Sequence, residues 1–411
     1  MIRDFNKVYD RHNTSCFKWD KNKEIYGKDD IISMWVADMD LPVAPEIEQC
    51  IIDRALHPLY GYTFRDDSYF DAFINWQKSH NSWQIKPDWL INSTSVVISL
   101  NMIIRSLTQS DDKILIFSPA YSQFAITVED TGRQLVKSSL INNEGYFRID
   151  FADLESKLAS GIKLLIFCSP HNPVGRVWKK DELLMLSGLC LKYHTLIVSD
   201  EIHSDLIYQG HRHIPLASLS PEISAATITC MSPGKTFNIS GLSISFIITE
   251  NEAYRTMIQN TFDSHHLMSA NIFGIEACQA AYLSGNEWLI ETRSYLQENR
   301  DYLFHFIQEY LPMVKVFSPE GTFLAWLDFR EYKLSQKELQ RFLVHVAGLG
   351  LDNGTKFGPE GEGFMRLNFA CSCLLLIKAL QQLYEATQKL FQVDFDLLKL
   401  IKNYKEIEDC D

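Results

Sequence analysis

The sequence predicts an α/β fold organised around a mostly parallel β-sheet. Four short apolar runs, at residues 113–118, 163–169, 195–199 and 226–231, alternate with segments of helical periodicity. Continuous apolar strands that alternate with helices are typical of a parallel sheet covered on both faces. Polar residues follow the first three runs, and the fourth leads to Lys235. Because ligands of such sheets bind beyond the carboxyl ends of the strands, the sequence predicts a site at that edge.

The first hundred residues contain helices and few strand candidates. Residues 31–36 are apolar and predict a strand, which leads into a turn-rich segment at 37–42. Helical periodicity follows at 45–56 and at 69–79. Between these two helices lies Tyr62, in an aromatic Tyr-Gly-Tyr stretch that is either a packed loop or part of a site.

A further helix is expected to begin in the stretch 93–97, which includes Ser95, Val96 and Val97, and to end near Leu107. The first N–H groups of a helix have no intrahelical partner and suit a phosphate. Small hydroxylated residues are equally common as ordinary helix caps, so this start by itself leaves both interpretations open.

After residue 248 the chain is mostly helical and predicts a smaller α+β domain. We expect an N-terminal arm (1–50), a large domain (51–285), a small C-terminal domain (286–391) that the arm joins, and an acidic tail (392–411). The helices expected in this part are at 270–282, 288–310 and 336–346, with a last one that ends near residue 391. The strands expected are at 314–317 and 323–328, and a glycine-rich loop that begins at 348 ends in the stretch 364–370.

Composition and charge narrow the class of protein. The 411 residues carry a net charge of -13, which argues against nucleic acid or an anionic membrane as a main partner. No apolar run is long enough to span a bilayer, and the first residues lack the apolar core of a signal peptide. The nine cysteines are scattered, and Cys371 and Cys373 are too close for a usual zinc knuckle. We expect a cytoplasmic protein with reduced cysteines and no metal.

Lys235 lies on a Pro-Gly turn between the run that ends at 231 and a second apolar run at 243–248. A partly desolvated lysine loses its proton readily and can form an imine with an aldehyde. Two alternatives remain: a surface lysine, or the end of a Walker-type phosphate loop. The Walker motif requires glycine at the position of Thr229 and a helix directly after the lysine, which Ser240 and Gly241 make unfavourable.

Other residues beyond the strands suit one aldehyde cofactor, pyridoxal 5'-phosphate. Its ring holds electrons when the ring nitrogen stays protonated, which requires a neighbouring carboxylate. Asp200 is of the right type, although it is also a common helix cap. Asn172 can donate to the phenolate oxygen of the ring or serve as a turn residue before Pro173. Tyr121 can stack on the ring or pack in the core.

The sequence also contains residues that can bind the phosphate of this cofactor and the carboxylate of an amino-acid substrate. Ser232, with the N–H groups of Ser95, Val96 and Val97, can hold the phosphate. Arg366 offers a bidentate fork for the carboxylate of an amino acid, or else a structural salt bridge.

Eight stretches of the chain carry a resemblance to a known family. They lie, in the order of that family and over nearly the whole chain, at 35–40, 60–62, 118–121, 168–178, 199–203, 232–238, 325–328 and 366–368. The chain resembles fold-type I pyridoxal-phosphate enzymes, the aspartate-aminotransferase superfamily, and within it the MalY/PatB-type cystathionine β-lyases. The resemblance implies a seven-stranded type of sheet in the large domain and a homodimer with shared active sites.

The resemblance also assigns roles to individual residues. Lys235 is implied as the Schiff-base lysine and proton-transfer base, with Asp200 on the ring nitrogen and Asn172 on the phenolate oxygen. The remaining implied contacts are ring stacking by Tyr121, phosphate binding by Ser232, substrate-carboxylate binding by Arg366, a position near the phenolate oxygen for His203, and entry of Tyr62 into the site of the neighbouring subunit.

The sequence departs from the family at a few positions that concern substrate choice more than cofactor binding. Gly234 stands where many relatives have serine, and Ser243 stands where aspartate aminotransferases have an arginine. Ser95 replaces a common glycine, and the stretch at 320–323 differs from the usual pattern.

We therefore expect α,β-elimination from cystathionine or a related cysteine thioether, which gives a thiol, pyruvate and ammonia. An aminotransferase is the close alternative, since it shares the removal of the Cα proton. A protein that keeps the fold for binding or regulation without turnover is a third hypothesis. The complete set of Lys235, Asp200, Asn172 and Tyr121 disfavours that third hypothesis.

Overall fold

A computed structural model describes residues 4–267 and 271–391. The helices are α1 (Phe17–Asp20), α2 (Asn22–Tyr26), α3 (Pro45–Leu56), α4 (Asp67–Asn81), α5 (Val96–Leu107), α6 (Ser122–Asp130), α7 (Phe151–Leu158), α8 (Lys180–Lys192), α9 (Pro221–Ala225), α10 (Pro233–Thr236), α11 (Glu252–Ser264), α12 (Ile272–Ser284), α13 (Asn286–Tyr310), α14 (Gln336–Arg341) and α15 (Cys373–Phe391). Within the described ranges, no helix has the length and apolar character needed to cross a bilayer.

Fifteen strands accompany these helices in the described part of the chain. They are β1 (Ile32–Ser33), β2 (Leu90–Ser93), β3 (Lys113–Ser118), β4 (Gln134–Ser139), β5 (Ile141–Asn143), β6 (Tyr146–Arg148), β7 (Ile162–Cys168), β8 (Leu196–Asp200), β9 (Thr227–Met231), β10 (Ser245–Ile248), β11 (Lys315–Val316), β12 (Leu324–Asp328), β13 (Leu349–Gly350), β14 (Asp352–Asn353) and β15 (Phe364–Asn368).

A seven-stranded sheet forms the larger part of the molecule, in the order β2-β10-β9-β8-β7-β3-β4. The neighbours from β9 to β4 pair in parallel, and only β10 runs antiparallel, against both β9 and β2. The central strands β7, β8 and β9 are almost wholly buried, as their continuous apolar runs predict. The predicted α/β class with a mostly parallel sheet is confirmed.

A smaller, four-stranded antiparallel sheet is built from the C-terminal third, in the order β11-β12-β15-β14. The N-terminal arm joins this part, because β1 pairs in parallel with β13. The smaller α+β region predicted from the arm and the C-terminal third is therefore present. The boundaries after residues 50 and 285 stay predictions, and the tail at 392–411 lies outside the described residues.

Several predicted elements differ from those observed. The strand expected at 31–36 is only two residues long, because the carbonyl groups of Trp35 and Val36 accept side-chain hydrogen bonds from Arg366 and Asn368. The expected Pro-Gly turn that carries Lys235 is a short helix, α10. The helix expected at 336–346 is α14 followed by a π-helical segment, Phe342–Ala347.

Candidate active site

A cavity of about 430 Å³ lies at the carboxyl edge of the large sheet, between this sheet and residues of the N-terminal arm and the C-terminal third. Ten of the eleven residues predicted for the site line it: Ser95, Val96, Val97, Tyr121, Asn172, Asp200, His203, Ser232, Lys235 and Arg366. The eleventh, Tyr62, does not. Residues up to 271 positions apart in the chain thus share one chamber, because the parallel strands of the large sheet end at one edge and β15 of the small sheet brings Arg366 to it.

Lys235 enters the cavity from α10, directly after the buried strand β9. Its Nζ donates a hydrogen bond of 2.5 Å to the carbonyl oxygen of Ala37 in the N-terminal arm. Burial lowers the pKa of this lysine to about 8, although the nearby carboxylate of Asp38 raises it. The deprotonated amine, which is the form that reacts with an aldehyde, is therefore far more populated near neutral pH here than on an exposed lysine.

Asp200 is the last residue of β8, and its partners in the two neighbouring strands are Cys168 and Cys230. Burial raises the pKa of its carboxyl group to about 7, against a hydrogen bond from the N–H of Ile202 that lowers it. Within the described part of the chain, the carboxylate thus lacks a strong cationic partner in its immediate surroundings. A protonated ring nitrogen beside it would supply one, so Asp200 fits the pyridinium of pyridoxal 5'-phosphate.

His203 and Tyr121 flank the same chamber as neutral groups. Burial lowers the pKa of His203 to about 3, and its Nδ1 has no hydrogen-bond partner among the described residues. Burial also raises the pKa of the Tyr121 phenol. A neutral imidazole and a protonated phenol can therefore donate to, or stack on, an aromatic ring without adding charge.

The N-terminus of α5 forms another part of the cavity lining. The hydroxyl oxygen of Ser95 caps this helix by accepting from the N–H of Ile98 at 3.2 Å. The N–H groups of Val96 and Val97 belong to the first turn, where a helix offers no internal acceptor. Ser232 donates to the carbonyl of Ile244 at 2.6 Å and accepts from the N–H of Gly234, so its hydroxyl would have to turn away from Ile244 before it could donate to a phosphate. A phosphate fits this part of the cavity.

Arg366 lies on β15, buried on the side of the cavity that faces the small sheet. Its guanidinium donates to Asn172 Oδ1 at 3.2 Å, to the carbonyl of Trp35 at 2.7 Å and to Asp352 Oδ2 at 2.8 Å. The salt bridge with Asp352 matches the structural alternative raised from the sequence, while the position in the cavity matches the substrate-binding one. The Nε atom has no partner within the described residues.

Two asparagines hold the arm segment that closes the cavity. Asn368 Nδ2 donates to the carbonyls of Val36 and Asp38, both at 2.6 Å. Asn238, three residues after Lys235, binds the backbone of Met39 in both directions at 3.0 Å. These bonds fix the Ala37 carbonyl opposite the lysine. The stretches around 238 and 368 belong to the resemblance, but their clamping role is visible only in three dimensions.

Sequence reasoning missed several residues of the cavity lining, and three of them place polar or charged groups that matter for the arguments below. They are the backbone carbonyl of Ala37, the carboxylate of Asp352 and the ammonium of Lys356. A backbone carbonyl leaves no signal in a sequence. Asp352 and Lys356 lie in a glycine-rich loop where acidic and basic residues are ordinary, so nothing distinguished them.

Tyr62 is fully exposed and does not line the cavity of its own chain. Its neighbourhood is also apolar and exposed, and includes Leu56, Leu59 and Phe64. The structure holds a single chain, so the predicted entry of Tyr62 into the site of a second subunit stays a prediction.

Comparison with known families places the chain in context. The sequence profile of the family described as aminotransferase class I and II matches residues 58–380. Cystathionine beta-lyase PatB of Bacillus subtilis is 39% identical over 383 residues, 93% of this chain and 99% of its own length. Protein MalY of Escherichia coli is 31% identical over 386 residues, 93% of this chain and 98% of its own length.

Solved structures give the same result. Cystalysin from Treponema denticola, which contains a pyridoxal 5'-phosphate cofactor, superposes with a TM-score of 0.92 at 33% identity, covering 95% of this chain and 100% of its own. The PLP-bound C-S lyase from Staphylococcus hominis has a TM-score of 0.88 at 33% identity and covers 94% of this chain and 98% of its own. The likeness therefore extends over both sheets.

Proposed function

The chain belongs to the aminotransferase class I and II family, and on that premise we propose that it is a pyridoxal-phosphate-dependent carbon–sulfur β-lyase. Its substrates are cystathionine or related L-cysteine thioethers, and its products are a thiol, pyruvate and ammonia. The observation that carries the proposal is the meeting of Lys235, Asp200 and Arg366 in one cavity of a chain 39% identical to a cystathionine β-lyase.

The residues of the cavity would hold the cofactor in one orientation. Lys235 would anchor its aldehyde carbon, Asp200 its ring nitrogen, Asn172 and His203 its phenolate side, and Tyr121 a face of the ring. Ser95, Val96, Val97 and Ser232 would hold the phosphate. When bound, pyridoxal 5'-phosphate supplies an electron sink for the electrons released at Cα of an amino acid.

The side chains then divide the work of elimination. Arg366 binds the carboxylate of the substrate, which fixes Cα relative to Lys235. The amine of Lys235, whose pKa burial lowers to about 8, removes the Cα proton. Asp200 stays ionised against the ring proton and prevents its loss. The thiolate leaves from Cβ and takes up the proton that Lys235 removed from Cα, and hydrolysis of the remaining three-carbon unit by water yields pyruvate and ammonia.

An assay of both products tests the proposal. Purified enzyme with added cofactor is incubated with cystathionine, and pyruvate is measured with lactate dehydrogenase while free thiol is measured with a colorimetric reagent. We expect equal amounts of the two products. Transfer of the amino group to an added 2-oxo acid, without release of thiol, would instead identify an aminotransferase.

We also place the enzyme in the cytoplasm as a homodimer whose two sites are shared. The support is the exposed apolar stretch around Tyr62, together with a cavity that this residue does not reach in its own chain. Mixing Lys235→Ala subunits with Tyr62→Ala subunits, after mild unfolding and refolding, gives hybrid dimers. If each site uses Tyr62 of the partner, one site of each hybrid contains both native residues, and activity reappears. Mixtures that stay inactive although hybrids form contradict sharing.

A further inference from the structure

Lys356 provides a cation at the outer end of the cavity that the chemistry of elimination does not use. It lies on the short helical turn Gly354–Phe357, which directly follows β14, and it lines the cavity with a side chain that is 55% exposed. The other two cations of the cavity are less exposed, since Lys235 is half-buried and Arg366 is buried. An exposed ammonium at the opening of a substrate cavity meets the part of a ligand that extends away from the reacting atoms.

The position of Lys356 relative to Arg366 is set by packing. The guanidinium of Arg366 lies over the ring of Phe357, 4.8 Å from its centroid, and Phe357 is the residue next to Lys356. Phe357 is itself buried against Trp326, at 5.3 Å between ring centroids. Packing of Phe357 thus holds the backbone of Lys356 close to Arg366, while the ammonium lies at the end of an exposed side chain.

Asp352 lies between these two cations and is already engaged. Its Oδ2 accepts from Arg366 at 2.8 Å, and its Oδ1 forms an ion pair with Nζ of Lys356 at 3.8 Å, a distance too long for a hydrogen bond. The ammonium of Lys356 therefore keeps its donors for another acceptor. Phe17 and Trp35, whose rings lie 5.3 Å apart, line the cavity as well and offer an apolar wall for the methylene groups of a thioether.

We propose that Lys356 binds a carboxylate at the far end of the leaving group, so that the enzyme prefers thioethers whose departing thiol is itself an acid. This inference rests on the proposed lyase function and specifies its substrate class. With the α-carboxylate on Arg366, the sulfur-linked arm extends along Phe17 and Trp35 to the ammonium. A neutral alkyl arm has no partner there.

A matched pair of substrates tests the preference. S-(2-carboxyethyl)-cysteine and its amide, S-(2-carbamoylethyl)-cysteine, have the same shape and differ in the distal charge. We expect kcat/KM for the acid to exceed that for the amide about tenfold, mainly through KM, because a hydrogen bond between charged groups is stronger than a neutral one. Lys356→Met should lower kcat/KM for the acid more than for the amide and so remove this ratio. Lys180→Met, an exposed lysine at the start of α8, is the control and should keep the ratio.

Calorimetric titration of the holoenzyme with the same two compounds separates this inference from the proposed function. If no pyruvate forms from either compound but the acid binds more tightly and Lys356→Met abolishes the difference, the lyase assignment fails and the carboxylate site stands. Equal affinities and equal kcat/KM values for acid and amide, or an unchanged ratio in Lys356→Met, overturn the inference whatever the reaction is.

Discussion

Nζ of Lys235 donates to the carbonyl oxygen of Ala37, 198 residues earlier in the chain. This hydrogen bond joins the large sheet to the N-terminal arm inside the cavity. The arm segment is in turn held by Asn238 and Asn368. The amine is thereby held in the cavity before any ligand enters, while burial keeps its pKa low enough for reaction. The same contact explains why the arm belongs to the site.

Replacing Lys235 by alanine should abolish both the covalent attachment of the cofactor and the proton transfer at Cα. We expect a loss of at least about 10³-fold in kcat, since a positioned general base contributes on that order. The visible absorbance of the lysine-bound cofactor should vanish, as measured on the purified protein. Lys180→Ala, on the surface of α8, should keep both properties. Retained native absorbance in Lys235→Ala would refute the assignment.

Asp200→Asn should change how the stability of the cofactor-free protein depends on pH. Burial raises the pKa of Asp200 from 3.8 to about 7, so ionisation of this acid opposes folding. The penalty is absent below pH 3.8, grows as pH rises and is complete above pH 7. The free energy of unfolding of Asp200→Asn, relative to that of the wild type, should therefore rise by about 2–4 kcal/mol from pH 4.5 to pH 8. This range follows from about 1.4 kcal/mol per unit of pKa shift.

Urea unfolding of both proteins at the two pH values measures this gain. Asp181→Asn, at an exposed position in the first turn of α8, controls for the amide substitution itself. A stability difference that does not vary with pH would show that Asp200 is ionised in the folded protein without the cofactor. The holoenzyme of Asp200→Asn should in addition be less active than the wild type, because the ring proton loses its partner.

Arg366→Lys should weaken substrate binding while keeping the cofactor. The substitution retains the charge but removes the bidentate fork, and we expect KM to rise about 10- to 100-fold with the visible absorbance unchanged. Arg330→Lys is a suitable comparison, since Arg330 pairs with Asp328 at a mostly exposed position. Loss of absorbance or of folding in Arg366→Lys would mean that the salt bridge with Asp352 is its main role.

Lys18→Met should destabilise the protein through the N-terminal arm. Lys18 is buried and donates to Asp40 at 2.7 Å, with Asp38 at 3.5 Å. Removing one partner of a buried ion pair leaves an uncompensated charge, and we expect a loss of about 3 kcal/mol in the free energy of unfolding, reduced by the remaining bond from Arg11 to Asp40. Lys21→Met, which breaks an exposed pair with Glu24, should cost less than about 1 kcal/mol.

Element types were predictable wherever the local pattern was strong. The run at 113–118 coincides with β3, and the runs at 163–169 and 195–199 are displaced by one residue from β7 and β8. The strands β2 and β4 were not predicted. Both are edge strands, and β4 is largely polar, so neither carries the continuous apolar run that marks a central strand.

Sequence alone determined the α/β class and the residue types that suit the cofactor, because both depend on chemistry and periodicity that are local to each segment. Tertiary structure alone decided that Ala37 accepts from Lys235, that Asp352 engages Arg366, and that Lys356 lies at the opening of the cavity. It also decided the low pKa of Lys235 and the raised pKa of Asp200. Burial and distance set these properties, and both arise from the packing of segments far apart in the chain.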